Sequence, residues 1–327
     1  MRALVCRELG SHDNLSLERV DDPIPAAGEV LVDVAAAGIN FPDLLIVEGK
    51  YQHRPQLPFV PGGECAGVVA ATGDGVERWE VGQRVIGLGL TGSFAERIVL
   101  PETALMPVPE GLDLGIAAGT SITYGTAYHA LKQRARLAVG ESLLVLGAAG
   151  GVGLAAVELG KHLGARVLAA AGTADKLAVA GEAGADEGIL YDEESLKDRV
   201  KELTGGRGAD VVFDPVGGGY TEQALRATAW DGRLLVVGFA AGEIPRVPLN
   251  LTLLKGCQIV GVFWGSWAER RPAESAKNFA ELHGRFLRGE LSPWVERLPL
   301  EGWREALDRL AGRRAVGKLV LTMGSDG

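Results

Sequence analysis

The chain has 327 residues, 47% apolar and 23% charged, which is long for one domain and ample for two with full cores. A net charge of −9 excludes the non-specific pull towards nucleic acid or anionic membrane that a basic chain would feel, so neither is expected as a partner. Cys6, Cys65 and Cys257 are scattered, with no disulfide framework or zinc-binding spacing. "MRALVCREL" is no basic leader and no apolar run reaches ~18 residues, so a soluble protein of the reducing cytoplasm is expected.

In chain order, residues 1–121 carry short strand-like runs cut by Gly and Pro: "RALVCREL", "EVLVDVAAAGI", "AGVVAATG", "QRVIGL" and "SFAERIVL". Only "PDLLIVEG" has a helical period there, so a strand-rich domain is predicted. From 122 to 261 strands alternate with amphipathic helices. "SLLVLG" leads into "GLAAVELGKHLG", "RVLAAAG" into "ADKLAVAGEAG", "EGILY" into "EESLKDRVKELTGG" and "ADVVFD" into "YTEQALRATAW". "GRLLVVGF" and "CQIVGVF" complete six strands, an α/β pattern that predicts a doubly wound parallel sheet of the Rossmann type. The tail offers two helices, a short "VERLPL" and a last strand "GKLVLTM". We read it as returning to the first domain, so that 1–121 and 262–327 form one discontinuous domain and 122–261 the other.

The first strand–helix junction reads "LGAAGGVGL", which fits the dinucleotide fingerprint G-x-G-x-x-G with Ala148 in place of the first glycine. Gly150, Gly151 and Gly153 lack a Cβ, so the backbone can turn tightly and approach a pyrophosphate. A helix starting near Val152 would aim its free N–H groups and positive end at the phosphates. The second strand ends in Ala171-Gly172 with no acid for a ribose 2′-hydroxyl. Gly172, Thr173 and Lys176 instead leave room for a 2′-phosphate and offer it a hydroxyl and an ammonium, favouring NADPH over NADH. Asp175 reads as a first-turn acid of the following helix.

With "GINFPD", "SITYGTAYHAL", "PFVPGGECAGVVAATGDGV", "VGQRVIG", "AAGGVG", "GTADK" and the closing "GKLVL", the chain resembles, nearly end to end, the zinc-free quinone oxidoreductases of the medium-chain dehydrogenase/reductase superfamily. The resemblance implies a GroES-like β-rich domain for the terminal parts. It places Asn40 and Thr126 near the nicotinamide half of the cofactor and Gly150, Gly151 and Val152 along the pyrophosphate. Lys176 and Tyr191 would hold the 2′-phosphate. Gly238, Phe239, Val262 and Phe263 would follow strand ends on the cofactor side, and Lys318 would return from the final strand. Pairing of the edge strand near 257–263 with its counterpart in a second copy would give a homodimer.

Zinc-dependent relatives carry Cys at the place of Asn40 and His at that of Gly63, before Glu64, so no metal is expected. What remains is direct hydride transfer from NADPH to a quinone or another α,β-unsaturated carbonyl. Asn40 and Tyr51 are the candidate catalytic groups. Tyr51 would donate a proton or stack on the substrate, while Leu45 stands where many relatives have tyrosine. Asp43 is expected to bond backbone near its turn, and His129 and His162 to be surface or interface residues. The two tryptophans of "WGSWAERRP" could line an apolar acceptor pocket. Two rivals stay open: an enoyl-thioester or alkenal double-bond reductase, and a low-turnover NADPH-binding protein with a redox-sensing or structural role.

Overall fold

The computed structural model describes residues 1–324. The chain divides into two units, 1–121 with 295 onward, and 122–294. The first opens with the antiparallel pair β1 (Arg2–Cys6) and β2 (Leu15–Arg19). Then come β3 (Glu29–Gly38), α1 (Phe41–Val47), β4 (Glu64–Thr72), β5 (Arg84–Leu88), β6 (Arg97–Pro101) and β7 (Leu105–Pro107). Helix α2 (Leu114–Tyr128) begins inside the stretch read as strand-rich and carries the chain into the second unit.

That unit alternates strand and helix: β8 (Ser142–Leu146), α3 (Gly151–His162), β9 (Arg166–Ala171), α4 (Ala174–Glu182), β10 (Glu187–Leu190) and α5 (Leu196–Leu203). It continues with β11 (Ala209–Asp214), α6 (Gly219–Ala227), β12 (Thr228–Val236), α7 (Asn250–Lys255) and β13 (Gln258–Gly261). All its strands are parallel, in the order β10-β9-β8-β11-β12-β13. Taken in sequence within the sheet this is 3-2-1-4-5-6, the arrangement of a complete dinucleotide fold. β8 lies inside the sheet with every residue buried, which explains its unbroken apolar run. Gly160 lets α3 settle on it, since a Cβ there would stand 2.4 Å from Leu143.

After β13 the helices α8 (Trp264–Arg270) and α9 (Pro272–Leu287) still belong to the second unit. The return to the first unit therefore begins at 295, not 262. The cause is packing: α9 buries Phe279, Leu282 and His283, and Trp264 meets Phe279 edge-on. Trp264 also fills the space left by Gly125, where a Cβ would lie 2.7 Å from its ring. Then β14 (Val295–Pro299), α10 (Trp303–Ala311) and β15 (Lys318–Thr322) complete the first unit, whose sheet runs β14-β15-β3-β4-β5-β7 with β6 on β3. Its core gathers Val30, Val32, Val69, Leu319 and Leu321 from strands distant in sequence, with Phe94 from the loop before β6. No helix among the described residues is long and apolar enough to cross a membrane.

Candidate functional site

In the second unit the glycine turn joins β8 to α3. Gly147, one residue before the position assigned to Ala148, has φ +58°, a left-handed backbone that suits glycine, so the tight turn falls there. Ala148 is buried, and its N–H donates to Ala170 O at 3.1 Å, tying the turn to β9. Gly153 cannot carry a side chain, because a Cβ would come within 2.2 Å of Gly147 O. Gly150 is different. Its φ is −77°, and a Cβ would meet only Gly147 O at 3.4 Å, so nothing in the protein demands glycine at that position. The missing side chain leaves open ground before the N-terminus of α3, the place a phosphate would take. Gly151 and Val152 open the helix.

Beyond β9, Thr173 caps α4 by accepting the Lys176 N–H at 3.4 Å, and Asp175 is a first-turn acid as its position in the sequence suggested. Lys176 is half-buried. Tyr191 follows β10 and packs against Tyr220 with ring centroids 4.4 Å apart. The space above Gly172 is partly filled: Asp192 Oδ2 would be 2.7 Å from a Cβ there, and Tyr220 donates its hydroxyl to Asp192 Oδ1. Neither Asp192 nor Tyr220 was singled out from the sequence. The available signal was an acid directly after Tyr191.

Gly238 and Phe239 follow β12, where the N–H groups of Val237 and Gly238 donate to Asp214 O at 2.9 and 3.3 Å. Val262 follows β13, buried, with its N–H on Val236 O at 2.9 Å, while Phe263 is exposed. Thr126 is half-buried on α2. His129, expected at the surface or at an interface, is buried within the second unit and stacked on Trp267 at 4.2 Å. Trp264 is likewise a packing residue of this unit.

In the first unit the ends of β3, β4 and β15 converge on a buried polar cluster. Lys318 Nζ lies 2.6 Å from Glu64 Oε1 and donates to Asn40 Oδ1 at 2.5 Å. Asn40 Nδ2 donates to the same Glu64 oxygen at 2.9 Å and to Gly38 O at 3.3 Å. Glu64 is fully buried and Lys318 is 5% exposed. Two glycines make room. A Cβ on Gly38 would strike Glu64 Oε1 at 2.5 Å, and one on Gly119 would press on Val320 and Lys318. Both amide protons of Asn40 are thus committed inside the protein. The donor set, one carboxylate and one amide around an ammonium, does not fit a divalent metal, which the Lys318 charge would repel. Among the described residues His12, Asp13 and Asp308 also bring ligand-type atoms together, but His12 is hydrogen-bonded to Asp308 and Asp13 is paired with Arg304, both at 2.8 Å.

Asp43 opens α1 and accepts the Asn40 N–H at 2.7 Å, the backbone role expected of it. Burial pushes its carboxyl up to about 7, against the pull of the Asn40 and Gly63 N–H groups and the Lys318 charge, with Glu64 raising it further. Tyr51, half-buried, has its hydroxyl pKa raised by burial and then by Asp43. The Asp43 shift sets a pH dependence. An unfolded aspartate loses its proton near pH ~3.9. The Asp43 contribution to stability is therefore full below that pH and is lost as pH rises towards 7, by up to about 1.4 kcal/mol per pH unit. In urea unfolding between pH 4.5 and 7.5, Asp43→Asn is expected to be flatter than wild type and relatively more stable at the upper end. An unchanged slope would remove Asp43 as its source.

The described geometry is matched by known families. Residues 26–110 match the alcohol dehydrogenase GroES-like domain and residues 151–280 the zinc-binding dehydrogenase domain. The chain is 40% identical to the quinone oxidoreductase-like protein 2 homolog of Nematostella vectensis, over 98% of this chain and 88% of that one. It is 33% identical to human quinone oxidoreductase over 99% and 98% of the two chains. Among solved structures, Escherichia coli quinone oxidoreductase complexed with NADPH superposes with a TM-score of 0.93 at 29% identity, covering 99% of this chain and 100% of that one. Similarity of this extent, with GroES-like and dinucleotide-binding parts both in place, means that the chain belongs to the quinone oxidoreductase family of the medium-chain dehydrogenase/reductase superfamily.

Proposed function

We propose that this protein is an NADPH-dependent oxidoreductase that reduces quinones or related α,β-unsaturated carbonyls without a metal. The observation that carries the reading is the buried Lys318–Glu64–Asn40 cluster, an internal ammonium where metal-dependent relatives need ligands. The acceptor must then be electrophilic already, as a quinone or enone is, because no Lewis acid activates it.

NADPH, when bound, supplies a hydride from its nicotinamide ring. Gly151 and Val152 bind its diphosphate through backbone N–H groups at the start of α3, and Gly150, whose own N–H is donated to Gly147 O at 3.0 Å, gives it room by lacking a side chain. Gly172, Thr173, Lys176 and Tyr191 hold the adenosine ribose and its 2′-phosphate. Thr126, Gly238, Phe239, Val262 and Phe263 border the rest of the cofactor. Asn40, locked by Lys318 and Glu64, is a rigid part of the nicotinamide end rather than a free donor. Tyr51 keeps its proton at neutral pH and holds it at Oη for the reduced oxygen.

Two copies pair along β13, an edge strand of four residues with exposed Ile259 and, just after it, exposed Phe263. The three cysteines are free and buried, which suits the reducing cytoplasm.

The test is NADPH oxidation with 9,10-phenanthrenequinone, a simple enone and crotonyl-CoA in parallel. Turnover of the quinone or enone is expected. Preference for crotonyl-CoA would favour the enoyl-thioester reading, and NADPH binding without any turnover would favour a sensing role. Lys176→Ala is expected to raise the KM for NADPH about tenfold, the worth of one charge-assisted phosphate contact, with the KM for NADH little changed. Equal effects on both would show that Lys176 does not read the 2′-phosphate.

A further inference from the structure

The end of β9 has no acid of its own, but the neighbouring strand brings one there. Tyr191 N–H donates to Ala171 O at 3.3 Å, which draws the residues after β10 alongside that strand end. Asp192 comes next, and its carboxylate lies over Gly172, with Oδ2 only 2.7 Å from where a Cβ of Gly172 would stand. Tyr220, from the first turn of α6, donates its hydroxyl to the other oxygen and packs its ring on Tyr191. The carboxylate is exposed yet held in place from a second element. NAD-specific dinucleotide folds put an acid at the end of the second strand for the ribose 2′-hydroxyl. Here the carboxylate reaches that spot from the third strand, and Gly172 is what lets it.

We infer that Asp192 is a coenzyme-discriminating residue, which makes the pocket accept NADH as well as NADPH. The inference rests on the dinucleotide-dependent reading above. An ionised carboxylate accepts a hydrogen bond from a ribose 2′-hydroxyl and repels a 2′-phosphate, which carries about −1.5 to −2 charges at neutral pH. Lys176, at the start of α4, works the other way. With both charges at one strand end, neither coenzyme is excluded, and removing the acid tips the balance to NADPH.

The experiment measures dissociation constants of NADPH, NADH, 2′,5′-ADP and 5′-AMP for the full chain and for Asp192→Asn and Asp192→Ala. The nucleotide fragments report on the adenosine end without the nicotinamide. Wild type is expected to bind NADH within about tenfold of NADPH. Each variant should tighten the 2′-phosphorylated ligands and weaken the others, moving the ratio in both pairs about tenfold or more. Two substitutions at an exposed residue guard against one folding poorly. Unchanged ratios in the variants, or a wild type that rejects NADH by more than about a hundredfold, would overturn the assignment and leave the NADPH reductase reading standing. A wild type that binds neither coenzyme would overturn both.

Discussion

Lys318→Met is expected to destabilise the protein by about 3–5 kcal/mol, because it strands the Glu64 carboxylate without its partner in the interior of the first unit. Glu64 is fully buried, and its Oε1 takes both the Lys318 ammonium and the Asn40 amide. Methionine keeps most of the lysine volume, so the loss reports the uncompensated charge rather than a cavity. The double variant Glu64→Gln with Lys318→Met should recover more than half of it, since a neutral amide can still accept from Asn40. Urea unfolding of wild type, the two single variants Lys318→Met and Glu64→Gln, and the double variant closes the cycle. A single Lys318→Met variant within about 1 kcal/mol of wild type would mean that the pair is screened like a surface bridge.

The second large effect is expected at the glycine turn. In an ordinary helix Gly→Ala adds about 1 kcal/mol of stability. Gly153→Ala should do the reverse, because its Cβ would lie 2.2 Å from Gly147 O, and backbone cannot swing aside as a side chain can. Relieving the contact moves either the turn or the start of α3, at an overpacking cost of about 1–3 kcal/mol. It also spoils the N–H geometry before the helix, so NADPH affinity should fall at least about tenfold. Gly150→Ala is the informative companion. The protein itself tolerates a Cβ there, so thermal stability should hold while coenzyme affinity drops. Equal behaviour of the two variants in melting and in NADPH titration would refute the separation of a packing glycine from a binding one.

Much of this architecture was legible along the chain. The apolar runs of β8, β9 and β11 are too short for buried helices and alternate with amphipathic helical stretches, so a parallel sheet covered on both faces followed from run length and alternation. The glycine turn was visible as a pattern, but its geometry was not. Gly147 rather than Ala148's position makes the tight bend, because the sign of φ is set by how the turn is tied to β9. The end of the dinucleotide-binding unit was misplaced for a related reason. A strand such as β13 marks where the sheet stops, not which core the next amphipathic helix joins, and α9 joins the second unit through Phe279 and Leu282.

The strand–helix alternation, the doubly wound sheet, the glycine-rich turn and the lack of zinc-ligand residue types at Asn40 and Gly63 were all readable along the chain. These are local matters of period, turn chemistry and side-chain type, each legible within a few residues. The closing of Lys318 on Asn40, 278 positions away, and on Glu64 emerges from the folded sheet, where an ion pair occupies the buried end of β3. The tertiary structure alone brought Asp192 over Gly172 and His129 under Trp267. Pairings of this kind depend on strand order and register. A charge buried in a core is tolerable only beside its partner, and which strand end supplies that partner is settled when the sheet forms.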